Sequence, residues 1–325
     1  MTGDVSPVTV ERTGSNRRMR RQPTRRGLSV ARSALSGTLV LEKPIGGERR
    51  DSHTGRDDRS GEKETGSRRP RPGMDYETPQ FFRVMRYASR ADRDVVDMVS
   101  GSPDWEPPEA LRKGLLEYAH ADSERFQYPP SVGLRGLREE IAGRRGVDAE
   151  QVIITNGAGE ANHLAMAAGL ERFPGSEVLL VDPTYPYYAG RASMLGADTR
   201  YVPAGEDGVP NLETVRECVR AETSVIVVTT PNNPLGVTYN GETVTRLVEI
   251  AADNDALLVS DEVYDQFDYS GAFTSALSVD SPHRVVTNSF SKSLAITGWR
   301  VGYAIFPTGT DRPVTCSRTP VPGTC

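Results

Sequence analysis

The sequence is poor in the residues that would mark a disulfide-stapled, metal-binding or membrane-spanning chain. Three cysteines in 325 residues, Cys218, Cys316 and Cys325, are too few and too scattered for a disulfide framework, and a reducing cytoplasm is the simpler assumption. His53, His120, His163 and His283 form no ligand-spaced cluster, which argues against a metal centre. No apolar run is long enough to span a bilayer. The early arginines precede no apolar segment of signal-peptide type, because Leu28 to Leu41 is broken by Arg32, serines and a glycine. Lysine is the scarcest charged residue. It stands only at positions 43, 63, 113 and 292, and arginine supplies the rest of the 39 basic side chains.

Charge is unevenly spread. Residues 1–73 carry a net +8, so the remaining chain, within a total of −5, carries −13. An acidic, arginine-over-lysine surface argues against a nucleic-acid-binding face on the patterned part, and is compatible with a high-salt cytoplasm. Residues 1–73 are rich in Arg, Gly, Ser and Thr and show no sustained period, so they do not bury enough surface to fold alone. They read either as a basic arm or as sequence upstream of a true start at Met74, and the abrupt onset of patterning there favours the second.

From about Ala110 helical and strand-like segments alternate. Leu111 to Ala119, Leu134 to Arg144 and Glu160 to Leu170 have helical spacing. Gln151–Thr155, Val178–Val181, Val225–Val228, Ala256–Val259, Arg284–Thr287 and Val301–Ile305 read as short apolar strands. That alternation predicts an α/β domain over 110–305, a largely parallel sheet covered on both faces, preceded by an N-terminal segment over 74–109. Residues 306–325 have no period and are dense in Pro, Thr and Gly; they read as loop or as translation out of frame. Ligands of such sheets sit at the carboxyl ends of the strands, so the residues just after each strand carry the interest.

Lys292 follows one such strand in Ser289-Phe290-Ser291-Lys292-Ser293, with Arg300 eight residues on. A chain that otherwise prefers arginine keeps an amine here, and a partly desolvated amine loses its proton where a guanidinium does not. The neutral amine forms a Schiff base with a carbonyl cofactor. Pyridoxal phosphate is the natural candidate, with Ser289 and Arg300 as phosphate ligands. A lysine at a helix start is the plain alternative. Asn156-Gly157-Ala158-Gly159-Glu160 is a small-residue turn opening a helix, suited to phosphate or simply to turning. Tyr185, after Val178–Val181, has a ring to stack on the cofactor or to pack on the strand end. The loop Thr229 to Gly236 offers Asn233, and Ser260-Asp261-Glu262-Val263-Tyr264 offers a carboxylate and a phenol. Asp261 could equally be a helix N-cap, and Glu262, read as solvated or at a core edge, takes no role.

Together these motifs, over about Gly101 to Ala304, resemble the class I/II aminotransferases of the fold-type I pyridoxal phosphate enzymes, with the aspartate-type subgroup most similar. The resemblance implies that Lys292 forms the internal aldimine and then shuttles the proton between substrate Cα and cofactor C4′. It implies that Asp261 pairs with the pyridine nitrogen, that Asn233 and Tyr264 bind the phenolic oxygen, and that Tyr185 stacks on the ring. Ala158, Gly159, Ser289 and Arg300 would hold the phosphate. Tyr128 would reach the phosphate of a neighbouring subunit, which implies a homodimer. Gly101 and Asn233 would line the substrate site. The implied reaction moves an amino group between an L-amino acid and a 2-oxo acid by a ping-pong route. The resembling enzymes continue through a C-terminal small domain with an arginine that clamps the substrate α-carboxylate. Here Arg312 and Arg318 sit in the unpatterned tail, that role falls to no residue, and a truncated chain with poor or no transaminase activity is expected. A β-lyase or decarboxylase would use the same cofactor residues. A DNA-binding regulator with an aminotransferase-like domain would need amphipathic helices that residues 1–73 lack.

Overall fold

The computed structural model describes residues 80–98 and 100–309. The basic segment 1–73, the start expected at Met74 and residues 310–325 of the tail lie outside the described residues. Within them the chain runs α1 (Gln80–Ser89), α2 (Glu109–Ala119), α3 (Arg135–Arg145), β1 (Val152–Asn156), α4 (Gly157–Arg172), β2 (Glu177–Asp182), α5 (Tyr187–Met194), β3 (Asp198–Pro203), α6 (Leu212–Cys218), β4 (Thr223–Thr229), α7 (Gly241–Asp253), β5 (Leu257–Asp261), β6 (Arg284–Ser289) and β7 (Val301–Ile305).

Seven strands form one sheet in the order β1-β7-β6-β5-β4-β2-β3. Strands β2 to β6 pair in parallel. β7 runs antiparallel to both its neighbours, β1 and β6, so the sheet is mostly parallel and not wholly so. Successive side chains of a strand point to opposite faces, and both faces are loaded here. Leu179, Val181, Ile226, Val228, Leu258 and Val286 join the core on one side with Leu247, Val248 and Ala251 of α7. Val178, Leu180, Val225, Val227, Val259 and Val285 join the other with Ala161, Ala165 and Met166 of α4. The unbroken apolar runs at β2, β4 and β5 follow from this double burial. β3 was not expected. Among the described residues it pairs only with β2, and it leaves Asp198, Tyr201 and Pro203 exposed, so it presents no apolar run.

Helix α4 positions the site. Gly157, Ala161, Asn162, Ala165, Met166 and Gly169 form its buried stripe at helical spacing. A Cβ on Gly169 would come within 2.5 Å of Val225, so the small residues let the helix lie close across the strands. Its N-terminus starts directly from β1, three residues earlier than the periodicity suggested. Helix α2 forms where expected but buries none of its residues, with Leu115, Leu116 and Tyr118 exposed.

Candidate active site

The carboxyl ends of β2, β4, β5 and β6 lie side by side in the sheet, with the N-terminus of α4 packed against β7 and β6. Asp261, the last residue of β5, is only 4% exposed. Its Oδ2 accepts hydrogen bonds from Asn162 Nδ2 at 2.7 Å and from Tyr188 Oη at 2.7 Å, and its Oδ1 accepts from the Val263 N–H at 3.2 Å. Each of those donors is itself fixed. Asn162 Oδ1 accepts from Thr287 Oγ1 at 2.7 Å, and Tyr188 Oη lies 2.7 Å from Thr229 Oγ1. With its proton given to Asp261, Tyr188 accepts from Thr229. One carboxylate is thus oriented from α4, α5, β4 and β6 at once. Burial pushes the Asp261 carboxyl above the usual carboxylate range, although the Tyr188, Asn162 and Val263 donors oppose it. No helix follows within the next three residues, so Asp261 is not a helix N-cap.

Tyr264 and Asn233 meet across neighbouring strand ends, Asn233 Nδ2 donating to Tyr264 Oη at 3.3 Å. Burial, and after it the Asp261 charge, raise the Tyr264 phenol. Tyr185 is half-exposed in the loop after β2. Its ring stacks on Tyr187 with centroids 4.9 Å apart and meets Tyr188 edge-on. Burial pushes its phenol up to about 12, with Tyr187 adding to the effect.

Lys292 lies in the turn after β6 and not in a helix. Its Nζ donates to the Gly101 carbonyl at 2.7 Å, and desolvation lowers its amine below the usual value. Gly101 has φ +58°, and a Cβ there would stand 3.8 Å from Nζ, so the glycine gives the backbone its left-handed turn beside the amine. Arg300 also adopts a left-handed φ of 57°, donating from Nη1 to the Thr297 carbonyl at 2.9 Å and from Nη2 to the Asn156 carbonyl at 3.5 Å. Its guanidinium lies over Gly157, where a Cβ would come within 2.3 Å of Nη2. Ala158 and Gly159 occupy the first turn of α4, whose N–H groups have no partner within the helix. The Gly159 carbonyl is held by Arg191 Nε at 2.8 Å. Ser289 ends β6, buried, with its N–H donating to Asn288 Oδ1 at 2.6 Å. Tyr128 differs from the rest: its ring is wholly in solvent.

Glu262 corrects its reading. It is 0% exposed and bound to Arg145, Ser275 and the Ala276 N–H, because a carboxylate carried inward at a strand end is tolerable only when its charge is paired. Asn162, Tyr188, Thr229, Thr287 and Arg191 were missed as site residues. Asn162 is a polar residue on the apolar stripe of α4, and that was its available signal. Gly302 was missed too. A Cβ on it would fall 2.5 Å from the Gly157 carbonyl carbon and 2.7 Å from the Ala158 nitrogen, so its bare backbone lets β7 sit against the first turn of α4. A glycine inside a strand often marks such an approach.

In chemical terms the edge offers a buried, multiply hydrogen-bonded carboxylate, a phenol paired with an amide, a desolvated amine, and a helix start beside an arginine. The family profile of class I and II aminotransferases matches residues 93–315. The chain is 34% identical over 222 residues to an aspartate aminotransferase of Thermotoga maritima, covering 65% of this chain and 58% of the relative. It is 33% identical to a probable aspartate aminotransferase of Methanocaldococcus jannaschii, covering 66% and 57%. Among solved structures, the aspartate aminotransferase of Thermus thermophilus (a double mutant) is similar, with a TM-score of 0.62 at 32% identity over 70% of this chain and 61% of that one. The chain therefore spans less than two thirds of the relatives it matches. Over the span they share, sequence and fold agree: the chain belongs to the class I and II aminotransferases, a pyridoxal phosphate-dependent family.

Proposed function

We propose that this chain binds pyridoxal phosphate at the sheet edge and serves the transfer of an amino group between an L-amino acid and a 2-oxo acid. The observation that carries the reading is the convergence of a desolvated Lys292 amine and a buried, oriented Asp261 carboxylate on one edge of the sheet. The residues fit that cofactor. Gly157, having no Cβ, lets the Arg300 guanidinium lie against the start of α4, and a cation beside a helix start is where phosphate is favoured. Asp261 would hold the ring nitrogen protonated, Asn233 and Tyr264 would bind the phenolic oxygen, and Tyr185 would cover the ring. Ala158, Gly159, Ser289 and Arg300 would hold the phosphate. When bound, the cofactor supplies an aldehyde and an electron-withdrawing ring.

Lys292 would hold and move the proton at the substrate Cα, since its lowered basicity leaves more of the neutral amine near neutral pH. Asp261 needs no movement to do its part, because Asn162 and Tyr188 already fix it. Gly101 and Asn233 would line the substrate carboxylate site. The α-carboxylate clamp is assigned to no residue. Tyr128 and the exposed α2 face support a homodimer in which Tyr128 serves the neighbouring site. A cytoplasmic setting is proposed from the scarcity of cysteine; among the described residues no helix is long and apolar enough to cross a membrane.

The test is an absorbance spectrum of the protein with pyridoxal phosphate, beside Lys292→Ala. A visible band present in the parent, absent in the variant and shifted by an added amino acid is expected. A spectrum indifferent to Lys292 would overturn the reading.

A further inference from the structure

Behind the proposed cofactor edge, on the α3 side of the sheet, lies a buried ion cluster that the chemistry above does not use. Arg145, in the last turn of α3 and 13% exposed in its side chain, donates from Nη2 to Glu262 Oε2 at 2.5 Å and from Nη1 to Asp265 Oδ2 at 2.6 Å. Both carboxylates lie on the β5 loop, and Asp265 carries the link onward to β6. Glu262 directly follows Asp261. It also accepts from Ser275 Oγ at 2.7 Å, from the Ala276 N–H at 2.9 Å and from Ser260 Oγ at 3.2 Å, so it nails the β5 loop that carries Asp261 and Tyr264. Asp265 Oδ2 also accepts from Asn288 Nδ2 at 3.0 Å. The Oδ1 of that same Asn288 accepts from the Ser289 N–H, at the start of the turn that carries Lys292. Tyr303, whose ring packs on Phe290 at 5.6 Å, also feels the Arg145 charge.

A buried guanidinium is costly to desolvate, and this one leaves its Nε without a partner. Simple apolar packing at this place would cost nothing of that kind. What a forked cation supplies and an apolar side chain does not is a simultaneous grip on two carboxylates in fixed relative positions. We propose that Arg145 is a positioning residue: its fork fixes Glu262 and Asp265 of the β5 loop, and through the Asp265–Asn288 hydrogen bond it steadies that loop against the start of the β6 loop and so sets the spacing between Asp261, Tyr264, Ser289 and Lys292. The inference rests on the cofactor reading for its purpose, but its mechanical part stands on the contacts alone.

The experiment follows both parts with Arg145→Met, Arg145→Lys and Asp265→Asn in the full chain. Amide hydrogen exchange without cofactor reads the mechanical part. Arg145→Met should speed exchange at least tenfold in both 262–265 and 288–293, leaving the β4 loop 229–236 at parental rates. Asp265→Asn keeps the Glu262 arm and should loosen 288–293 far more than the β5 loop. Arg145→Lys should fall between parent and Arg145→Met. Pyridoxal phosphate titration reads the purpose: affinity should fall about tenfold or more in Arg145→Met, and the pH midpoint of the Lys292-dependent band should move. Loosening confined to 262–265 in Arg145→Met, or spread evenly over the protein, would overturn the proposal. Loosening of both loops with unchanged affinity and band would overturn its purpose. A parent that takes up no cofactor would defeat the functional reading while the exchange data still decide the coupling.

Discussion

At the scale of single residues, the edge is built from groups held in states they would not choose in water. Burial raises Asp261, so the folded chain keeps that proton to higher pH than the unfolded chain does. Between the two values the unfolded state binds fewer protons, stability falls as pH rises, and the penalty is complete above the folded value. Asp261→Asn should therefore leave the cofactor-free protein at least as stable as its parent in urea at pH 7, with the advantage gone in acid below the unfolded value. The same substitution should weaken pyridoxal phosphate binding by about 10- to 100-fold, the worth of one charge-assisted hydrogen bond. A variant destabilised at pH 7 would show that the carboxylate is a structural asset. Lys292 runs with the opposite sign. Its lowered amine releases its proton earlier in the fold, so stability rises with pH from the folded value up to the usual 10.5. Lys292→Met should melt higher than the parent at pH 7, and the difference should close towards pH 10.5 in a thermal scan series.

At the scale of elements, the glycine of β7 does as much for the site as any polar residue. Gly302→Ala would drive a methyl into the backbone of Gly157 and Ala158, and neither can yield as a side chain would. A loss of about 3 kcal/mol is expected in denaturant titration, the upper end for overpacking, together with weaker phosphate binding measured with inorganic phosphate alone. An unchanged phosphate affinity would separate strand packing from the helix start. The elements also show what a sequence discloses. The strands β2, β4 and β5 were legible because burial on both faces leaves apolar runs, and Lys292 drew notice because lysine is rare. β3 was hidden because an edge strand with one buried residue carries no such run. Asn162 and Tyr188 were hidden because their roles depend on which strand ends become neighbours, and strand order is not written in local pattern. Glu262 was misread for a similar reason, since its partner Arg145 is far from it in the chain and meets it only in the fold.

At the scale of the whole molecule, the segment from α1 to the start of α3 keeps many of its large apolar side chains outside. Phe82, Val96, Met98, Leu116, Phe126 and Tyr128 are all exposed, whereas α4 and α7 bury their stripes. Scattered exposure is ordinary, and the concentration of it in this one segment is the feature a covering partner would explain. Sedimentation should show a dimer, and Tyr128→Ala should lower cofactor affinity without unfolding the chain, because its ring touches nothing within it. A monomer with unaltered affinity would remove Tyr128 from the site. The order of the strands has a last consequence, for the chain as it is made. Among the described residues, strand β1 pairs only with β7, some 150 residues downstream, and β7 joins it to β6. While the ribosome is still delivering the middle of the chain, β2 to β6 can assemble and hold α4 from Asn162 onward, but β1 has no mate and the first turn of α4 lacks the strand it packs against. That turn waits for β7, so the proposed phosphate cradle forms only after that strand arrives, and a nascent chain stalled before Val301 should already resist proteolysis in its centre while remaining open to cleavage around Gly157.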